Sequence, residues 1–263
     1  LTDFYLLHGF KSTADIQATL MEVPGWESLL PVLKKEGVPG LYRTVMSASQ
    51  EEIDTWLQPV VNHISRNKRM YHRHQPEFWV RRAAEQYGKD DHHDRGIFSI
   101  YWFNIVHLRP GEGIFQDAGI PHAYLEGACV ELMANSDNVL RGGLTPKHID
   151  VPELLDKTDC SAVTANILTP TNRGDGWQHY PTPAPDFSLS VATPSKDEEL
   201  TIDTAKGPAI LLLLEGALQD TATSLQLDTS SRTAFLAAEG KYTFSASANT
   251  KVFLAEVGDA HSS

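Results

Sequence analysis

Cysteine is scarce in this chain, because its 263 residues include only Cys129 and Cys160. Two cysteines cannot form the network of disulfide bonds that holds small secreted domains together. Neither of them lies in a Cys-x-x-Cys motif of the kind found in metal and redox sites. The sequence therefore excludes a disulfide scaffold and fits the reducing environment of the cytoplasm.

Long apolar runs are lacking as well. The longest, residues 209–214, reads Ala-Ile-Leu-Leu-Leu-Leu and is far shorter than the roughly 20 residues that a membrane-spanning helix needs. No signal-peptide pattern opens the chain. We therefore expect a cytoplasmic protein that has no membrane partner.

Positive charge is in short supply. The chain has 22 Lys and Arg residues against 34 Asp and Glu residues, which gives a net charge of −12. Such a surface repels the phosphates of nucleic acid, so we expect no nucleic-acid partner. A local cluster of Arg and Lys can still bind a small phosphorylated molecule.

The chain also lacks an initiating methionine. It opens at Leu1, inside the stretch Leu1-Thr-Asp-Phe-Tyr-Leu-Leu7, which has the composition of a strand already under way. A strand rarely begins a natural chain so abruptly. We expect a truncated, processed or proteolysed product.

Helical patterns dominate residues 12–87. Ser12 or Thr13 can cap a first helix. Residues 26–36 predict a second, with Leu29, Leu30 and Leu33 on one face. Ser49-Gln-Glu-Glu52 resembles a capping box in front of a long amphipathic helix. Pro76 to Tyr87 predicts another helix.

Strand patterns follow the helical block. Residues 98–108, 113–115 and 128–133 have strand composition, and Val151-Pro-Glu-Leu-Leu155 predicts one short helix. From residue 166 to 257 the chain consists of short strand-like runs separated by Gly, Pro, Asp and Ser, as in a sandwich or jelly roll. The predicted fold class is mainly β, with a helical insertion into a β-barrel.

Two polar segments carry the candidate chemistry. His122 follows Pro121 in a turn-rich link between strands, where a backbone carbonyl can fix one ring nitrogen while the other binds a metal. The alternative for an isolated histidine is a hydrogen-bonded core residue. Further on lie Glu131, Asp137, an Arg141 beside two glycines, and Lys147. Arg and Lys are common partners of a phosphate, and each carboxylate could equally be a surface residue.

These segments carry a specific resemblance. Pro121-His-Ala-Tyr-Leu-Glu-Gly127, followed by Met133-Ala-Asn-Ser-Asp-Asn-Val-Leu-Arg141 and Gly143-Leu-Thr-Pro-Lys147, resembles the signature region of the type I phosphomannose isomerases. Residues 1–10 are similar to the strand that follows a zinc-binding glutamate in that family, and residues 148–154 continue the match. The resemblance is close over residues 1–155, whereas the C-terminal β unit is similar only in its type of structure. It identifies the chain as a C-terminal portion of such an enzyme.

The family resemblance implies cupin or jelly-roll barrels and a division of the chain. Residues 1–10 are expected to be a strand of the catalytic cupin domain, and residues 11–96 a helical domain. Residues 97–160 would complete the catalytic domain, which is an incomplete barrel in this chain. Residues 161–263 would form a C-terminal jelly-roll domain.

The resemblance also implies a zinc-dependent aldose–ketose isomerase of carbohydrate metabolism. It would interconvert mannose 6-phosphate and fructose 6-phosphate through a cis-enediol, with one zinc ion bound by four protein groups. Those groups are a Gln and a His from a Gln-x-His motif, a Glu from a Lys-Pro-Glu motif, and the His of Pro-His-Ala-Tyr. Only the last is present, as His122, so we expect weak or absent zinc binding and an inactive chain. The other histidine-rich spots, His72-Arg-His74 and Asp91-His-His-Asp94, have the composition of solvated turns.

The family match assigns the remaining roles. Arg141 is implied in catalysis and substrate binding, Glu131 or Asp137 in proton handling, and Lys147 in substrate binding. The expected partners are a phosphorylated hexose and the missing N-terminal segment. The alternative is a non-catalytic cupin-like protein that binds sugar phosphates or regulates another protein.

Overall fold

The computed structural model describes residues 1–67, 69–89, 92–136 and 139–258. The chain divides into two compact units. The first comprises Leu1–Pro110, Gln116–Cys129 and Asp137–Asn166, and the second comprises Gly111–Phe115, Val130–Ser136 and Ile167–Ser263. The predicted fold class is confirmed, because strands make up most of the elements and a block of helices separates the first strand from the second. The four predicted domain boundaries stay predictions.

All the helices of the described residues lie in the first unit. In chain order they are α1 (Thr13–Glu22), α2 (Leu30–Ser47), α3 (Gln50–Arg66), α4 (Pro76–Tyr87), α5 (Ile97–Trp102) and α6 (Val151–Lys157), with a short 3-10 turn at Glu27–Leu29 before α2. None of the helices in the described ranges combines the length and the apolar character needed to cross a bilayer.

The helix starts follow the predicted caps. Ser12 accepts a hydrogen bond from the backbone N–H of Asp15 and so caps α1. At α3 the capping box is complete, because the Ser49 hydroxyl accepts from the Glu52 N–H while the Glu52 carboxylate accepts from the Ser49 N–H. Both serines satisfy backbone donors that the first turn of a helix leaves without partners.

The strands form four sheets. They are β1 (Phe4–Phe10), β2 (Phe103–Leu108), β3 (Gly113–Ile114), β4 (His122–Glu126), β5 (Ile167–Leu168), β6 (Thr171–Asn172), β7 (Gln178–His179), β8 (Phe187–Ala192), β9 (Glu199–Asp203), β10 (Ala209–Glu215), β11 (Leu218–Asp220), β12 (Gln226–Leu227), β13 (Thr233–Leu236), β14 (Lys241–Ala246) and β15 (Lys251–Val257). The sheet orders are β2-β1-β4, β13-β10-β15-β8-β7-β6, β12-β11-β14-β9 and β3-β5.

Strand β1 is the central strand of the first unit's sheet. It pairs antiparallel with β2 on one side and with β4 on the other, and all seven of its residues are buried. Tyr5, Leu7 and Phe10 belong to the hydrophobic core that the helices share. The strand therefore connects the helical block to β4, which carries His122.

In the second unit the buried residues alternate along the strands. In β9 and β10 every second residue points into a common core, which is the pattern of sheets that are covered on one face. That core includes Trp177, Leu211, Phe244 and Leu254, which lie on or beside strands of both the six-stranded and the four-stranded sheet. The predicted series of short strands from residue 166 to 257 is confirmed.

The strand predicted across residues 98–108 is correct only in its second half. Residues 97–102 form helix α5, and all six are buried. The helix starts with hydrogen bonds from the N–H groups of Ile97 and Phe98 to the carbonyls of Asp94 and Arg95. An apolar run that is buried on every side carries no period, so composition alone could not separate helix from strand here.

The strand predicted at residues 128–133 is wrong. The described part of this segment, up to residue 136, contains no strand. Burial does alternate, with Val130, Leu132 and Ala134 half-buried between exposed neighbours. Alternating burial is typical of strands, but a strand is defined by the ladder of backbone hydrogen bonds that it shares with a neighbouring strand, and burial does not report that ladder.

The contribution of the α3 capping box to stability can be tested by mutation. Replacing Ser49 with Ala removes the acceptor for the Glu52 N–H, so the free energy of unfolding should fall by about 1 kcal/mol. Urea denaturation followed by circular dichroism measures the change. Ser65→Ala, an exposed change near the end of the same helix, is the matched control and should have little effect. Equal stability of the Ser49 variant and the control would contradict the capping account.

Candidate active site

The register between β1 and β4 places two histidines face to face. His8 lies directly opposite His122, and Leu6 lies opposite Tyr124. Side chains at directly paired positions project from the same face of a sheet, with Cβ atoms about 4.5–5.5 Å apart. Leu7 projects from the opposite face into the helical core. One face of this sheet therefore carries a pair of imidazoles.

His122 is held by the loop that precedes it. Its Nδ1 lies 3.0 Å from the carbonyl oxygen of Ile120. A carbonyl can only accept, so Nδ1 carries the proton and the lone pair of the neutral ring is on Nε2. The Pro121 carbonyl accepts from the Gly9 N–H at 2.8 Å, which ties the same loop to β1. The side chain is exposed, so Nε2 is available to a ligand, whereas its role on a metal stays a prediction.

His8 was not singled out by its sequence context. It is only 4% exposed, and its Nδ1 has no hydrogen-bond partner within the described part of the chain. Burial lowers the pKa of the imidazole, and the positive charge of a protonated His122 lowers it further. Both effects favour the neutral ring, which is the form that binds metals. Only the strand register, which no local motif encodes, brings it next to His122.

A carboxylate that the sequence placed in a solvated turn holds the Arg141 loop. Asp94 Oδ1 accepts from the N–H of Gly96 at 2.7 Å and from the N–H of Leu144 at 2.8 Å. At Gly143 φ is +121°, and a Cβ there would lie 2.4 Å from the Gly96 Cα. The solvated-turn interpretation is therefore wrong for Asp94, which fixes the loop after Arg141; Asp91 lies outside the described residues.

None of the contacts found among the described residues joins His122 to Arg141 or Lys147. Arg141 is half-buried and Lys147 is exposed; neither side chain makes a hydrogen bond or ion pair with the described residues. Glu131 is exposed and belongs to the second unit. Asp137 lies outside the described residues. Their assigned roles stay predictions.

An ion-pair network holds the C-terminal end of strand β4 at Glu126. The Glu126 carboxylate accepts from Arg73 Nε at 2.6 Å and also from Arg82. The hydrogen bond from Arg73 is the main reason that the pKa of Glu126 lies below its usual range, and Arg82 adds to it. Arg82 is on α4, so the network joins the strand that carries His122 to the helical block.

The residues partly fit a zinc ion. Imidazole nitrogen is a preferred zinc ligand, and the exposed His122 offers one, whereas the Nδ1 of His8 is buried. Zinc sites commonly use three or four protein ligands, and the described residues contain no group of three His, Cys, Asp or Glu that could hold a metal. The Gln-x-His and Lys-Pro-Glu motifs do not occur in the sequence. That this chain supplies only part of a zinc ligand set stays a prediction.

Comparisons with known proteins show which enzymes this chain is similar to. No protein-family model matches the chain. It is 33% identical over 244 residues to mannose-6-phosphate isomerase of Mus musculus, an alignment that covers 83% of this chain and 56% of the mouse protein. The corresponding enzyme of Escherichia coli (strain K12) is 35% identical over 223 residues, covering 82% of this chain and 54% of that protein. The resemblance to mannose-6-phosphate isomerases is confirmed.

Solved phosphomannose isomerases agree with the sequence comparison. A mutant of the Salmonella typhimurium enzyme matches with a TM-score of 0.80 at 30% identity, covering 98% of this chain and 64% of that chain. A second structure, of mannose 6-phosphate isomerase from the same organism bound to its substrate fructose 6-phosphate and a zinc atom, has the same TM-score and coverage at 29% identity. The fold is therefore that of the phosphomannose isomerases, a cupin fold. The chain spans about half the length of the curated relatives it matches.

The Glu126 network gives a prediction about pH. A carboxyl whose folded-state pKa is depressed stabilises the fold above its unfolded pKa and loses that contribution as pH falls through the folded value. Glu126→Gln should therefore lower the free energy of unfolding at neutral pH by up to about 1 kcal/mol, since the network is partly exposed. The difference from the unmodified chain should disappear in acid.

Urea denaturation across a pH series from neutral to acid measures this difference. Glu85→Gln, on the exposed side of α4, is the matched control because Glu85 makes no ion pair with the described residues. A destabilisation by Glu126→Gln that persists undiminished in acid would contradict the assigned role.

Proposed function

We propose that this chain supplies the His122 and Arg141 side of the active site of a zinc-dependent mannose-6-phosphate isomerase. The activity is the interconversion of mannose 6-phosphate and fructose 6-phosphate. The observation that carries the proposal is the joint match to these enzymes, which covers 83% of this chain in sequence and 98% in fold. A homologue with bound fructose 6-phosphate and zinc supports the same ligands here.

His122 is the zinc ligand in this proposal. Its Nε2 lone pair is directed away from the Ile120 carbonyl, which holds the ring in a single tautomer. When bound, zinc stabilises negative charge that develops on substrate oxygens. The chain's contribution is to hold the imidazole in place before the metal arrives.

We assign Arg141 to the enediolate intermediate, which it would stabilise, or to the substrate, which it would orient. Its guanidinium is always protonated and has no ion-pair partner among the described residues, so its donors remain for anionic oxygen. Asp94 fixes the Leu144 end of the loop through a backbone hydrogen bond. Arg141 would stabilise the enediolate or orient the substrate, while Lys147 would bind the phosphate as a point charge.

Aldose–ketose isomerisation also requires a base that moves a proton between C1 and C2. Glu131 and Asp137 are the proposed groups. A carboxylate suits the task because it can accept the proton from one carbon and return it to the other. We assign proton handling to one of these two carboxylates.

Turnover is proposed to require groups that this sequence does not contain. A Gln-x-His motif and a Lys-Pro-Glu motif would complete the zinc ligands beside His122. Without them the chain should bind zinc weakly and show no isomerase activity. With them in the same polypeptide, zinc binding and activity should appear together.

A sugar-phosphate-binding protein without catalysis is the second candidate. It is favoured by the lack of a three-ligand metal cluster among the described residues. Binding of mannose 6-phosphate by this chain that survives a chelator would support it. Binding that requires zinc supports the isomerase.

The assay compares this chain with a fusion in which a relative's segment carrying both motifs precedes Leu1. The unfused chain should be inactive, and the fusion should isomerise mannose 6-phosphate in the presence of zinc. In the fusion, Arg141→Met should lower kcat by about 100- to 1,000-fold, because a preorganised donor to the developing charge is lost.

Arg43→Met is the control for this assay, because Arg43 is an exposed residue of α2 and should leave kcat unchanged. Full activity of the unfused chain would contradict the need for the two motifs. An unchanged kcat in the Arg141 variant would contradict its assigned role.

A further inference from the structure

The backbone that follows Arg141, residues 142–144, runs very close to the helical block. A Cβ atom at Gly142 would lie 2.8 Å from the Tyr42 hydroxyl oxygen, and one at Gly143 would lie 2.4 Å from the Gly96 Cα. Any side chain at either position would collide with its neighbour, and glycine is the residue that permits such an approach. The two glycines therefore let segment 142–144 pack directly against the block.

Tyr42 forms one side of the space that Gly142 occupies. It lies on α2, is 2% exposed and packs edge-on against Phe10, with ring centroids 5.2 Å apart. The Leu154 side chain of α6 lies 3.7 Å from the same Cβ position. Since a close-packed interior leaves a buried ring little room to move, Tyr42 limits where the Gly142 backbone can lie.

Asp94 holds the other end of the segment, where the backbone is strained. Leu144 has a φ of +52°, which is uncommon for a residue with a side chain. Its N–H donates to Asp94 Oδ1 at 2.8 Å. The side chains of Leu140 and Leu144 both pack against the helical core. Because such a conformation persists only where its surroundings enforce it, the backbone is held on both sides of Arg141.

We propose that Tyr42 and Asp94 are positioning residues for Arg141, which place its guanidinium through the backbone of segment 142–144. The inference rests on the proposed function, which assigns Arg141 to the enediolate or to the substrate. The Arg141 side chain makes no hydrogen bond or ion pair within the described part of the chain, so the position of its backbone decides which region the guanidinium reaches. The helical block then contributes to catalysis without contacting the substrate through these two residues.

Amide hydrogen exchange of the unfused chain, followed by NMR, tests whether Asp94 holds the segment. Asp94→Ala should speed exchange at the Leu144 N–H about tenfold, because a hydrogen bond to a charged acceptor is lost. Asp94→Asn keeps an oxygen acceptor and should change the rate much less. Asp228→Ala, in the second unit, is the matched control, because Asp228 Oδ1 also accepts from two backbone N–H groups, those of Ser230 and Ser231. Equal exchange at Leu144 in Asp94→Ala and the control would overturn the role of Asp94.

Kinetics of the fusion test whether the segment positions Arg141. Asp94→Ala should lower kcat by up to about 100-fold, the cost of misplacing a reacting group by about 1 Å, while Asp94→Asn should retain most of the activity. In an Arg141→Met background, Asp94→Ala should cost nothing further, because Asp94 acts through Arg141. An equal loss in both backgrounds would show a merely structural role and overturn the proposal. Asp228→Ala should leave kcat unchanged.

A pair of substitutions in the same fusion tests Tyr42. The φ of Gly142 lies outside the left-handed region, so Gly142→Ala adds only a methyl group that would lie 2.8 Å from the Tyr42 hydroxyl oxygen. The displaced segment should lower kcat at least about tenfold. Tyr42→Phe removes that oxygen, so the double variant should recover most of the lost activity. No recovery in a double variant that circular dichroism shows to be folded would overturn the role of Tyr42.

The outcomes separate this inference from the proposed function. A loss of kcat in Arg141→Met together with an unchanged kcat in Asp94→Ala would overturn the positioning role and leave the function of Arg141 standing. An inactive fusion would contradict the proposed function, and the exchange rate at Leu144 in the unfused chain would still decide whether Asp94 holds the segment.

Discussion

The pairing register of β1 is the constraint on which the first unit depends. This strand lies between β2 and β4 and is buried along its whole length. One face contributes Leu7 to the helical core, and the other carries His8 opposite His122. A shift by one residue would exchange the two faces, so that an imidazole entered the core and a leucine faced His122. Burial of the apolar face thus fixes the position of the histidines.

Backbone groups position the rest of the candidate site. The Ile120 carbonyl orients the His122 ring. The Asp94 carboxylate accepts from the Leu144 N–H, which holds the Arg141 loop, and from the Gly96 N–H in its own turn. Glu126 fastens the end of β4 through Arg73 and Arg82. These contacts exist without any ligand. The fold therefore orders these parts of the candidate site before any ligand binds.

The features that were predictable from the sequence are those with a local signature. The capping box at Ser49 and the family motif around His122 each depend on residues a few positions apart. The strand composition of residues 98–102 and 128–133 was misleading, because neither a buried helix nor an extended segment outside the named strands has a distinctive local pattern. His8 and Asp94 were missed because their partners are more than forty positions away in the chain. A turn signal, Asp-Arg-Gly at residues 94–96, could have marked Asp94; nothing local marks His8.

The fold holds the neutral His122 ring so that its lone pair is on Nε2, the nitrogen that we assign to zinc. The tautomer of its neutral ring tests this most directly, and ¹⁵N chemical shifts of the metal-free chain at mildly alkaline pH report it. We expect a proton on Nδ1, donated to the Ile120 carbonyl, and an unprotonated Nε2. A proton on Nε2 would contradict it, because the nitrogen assigned to zinc would then be a donor.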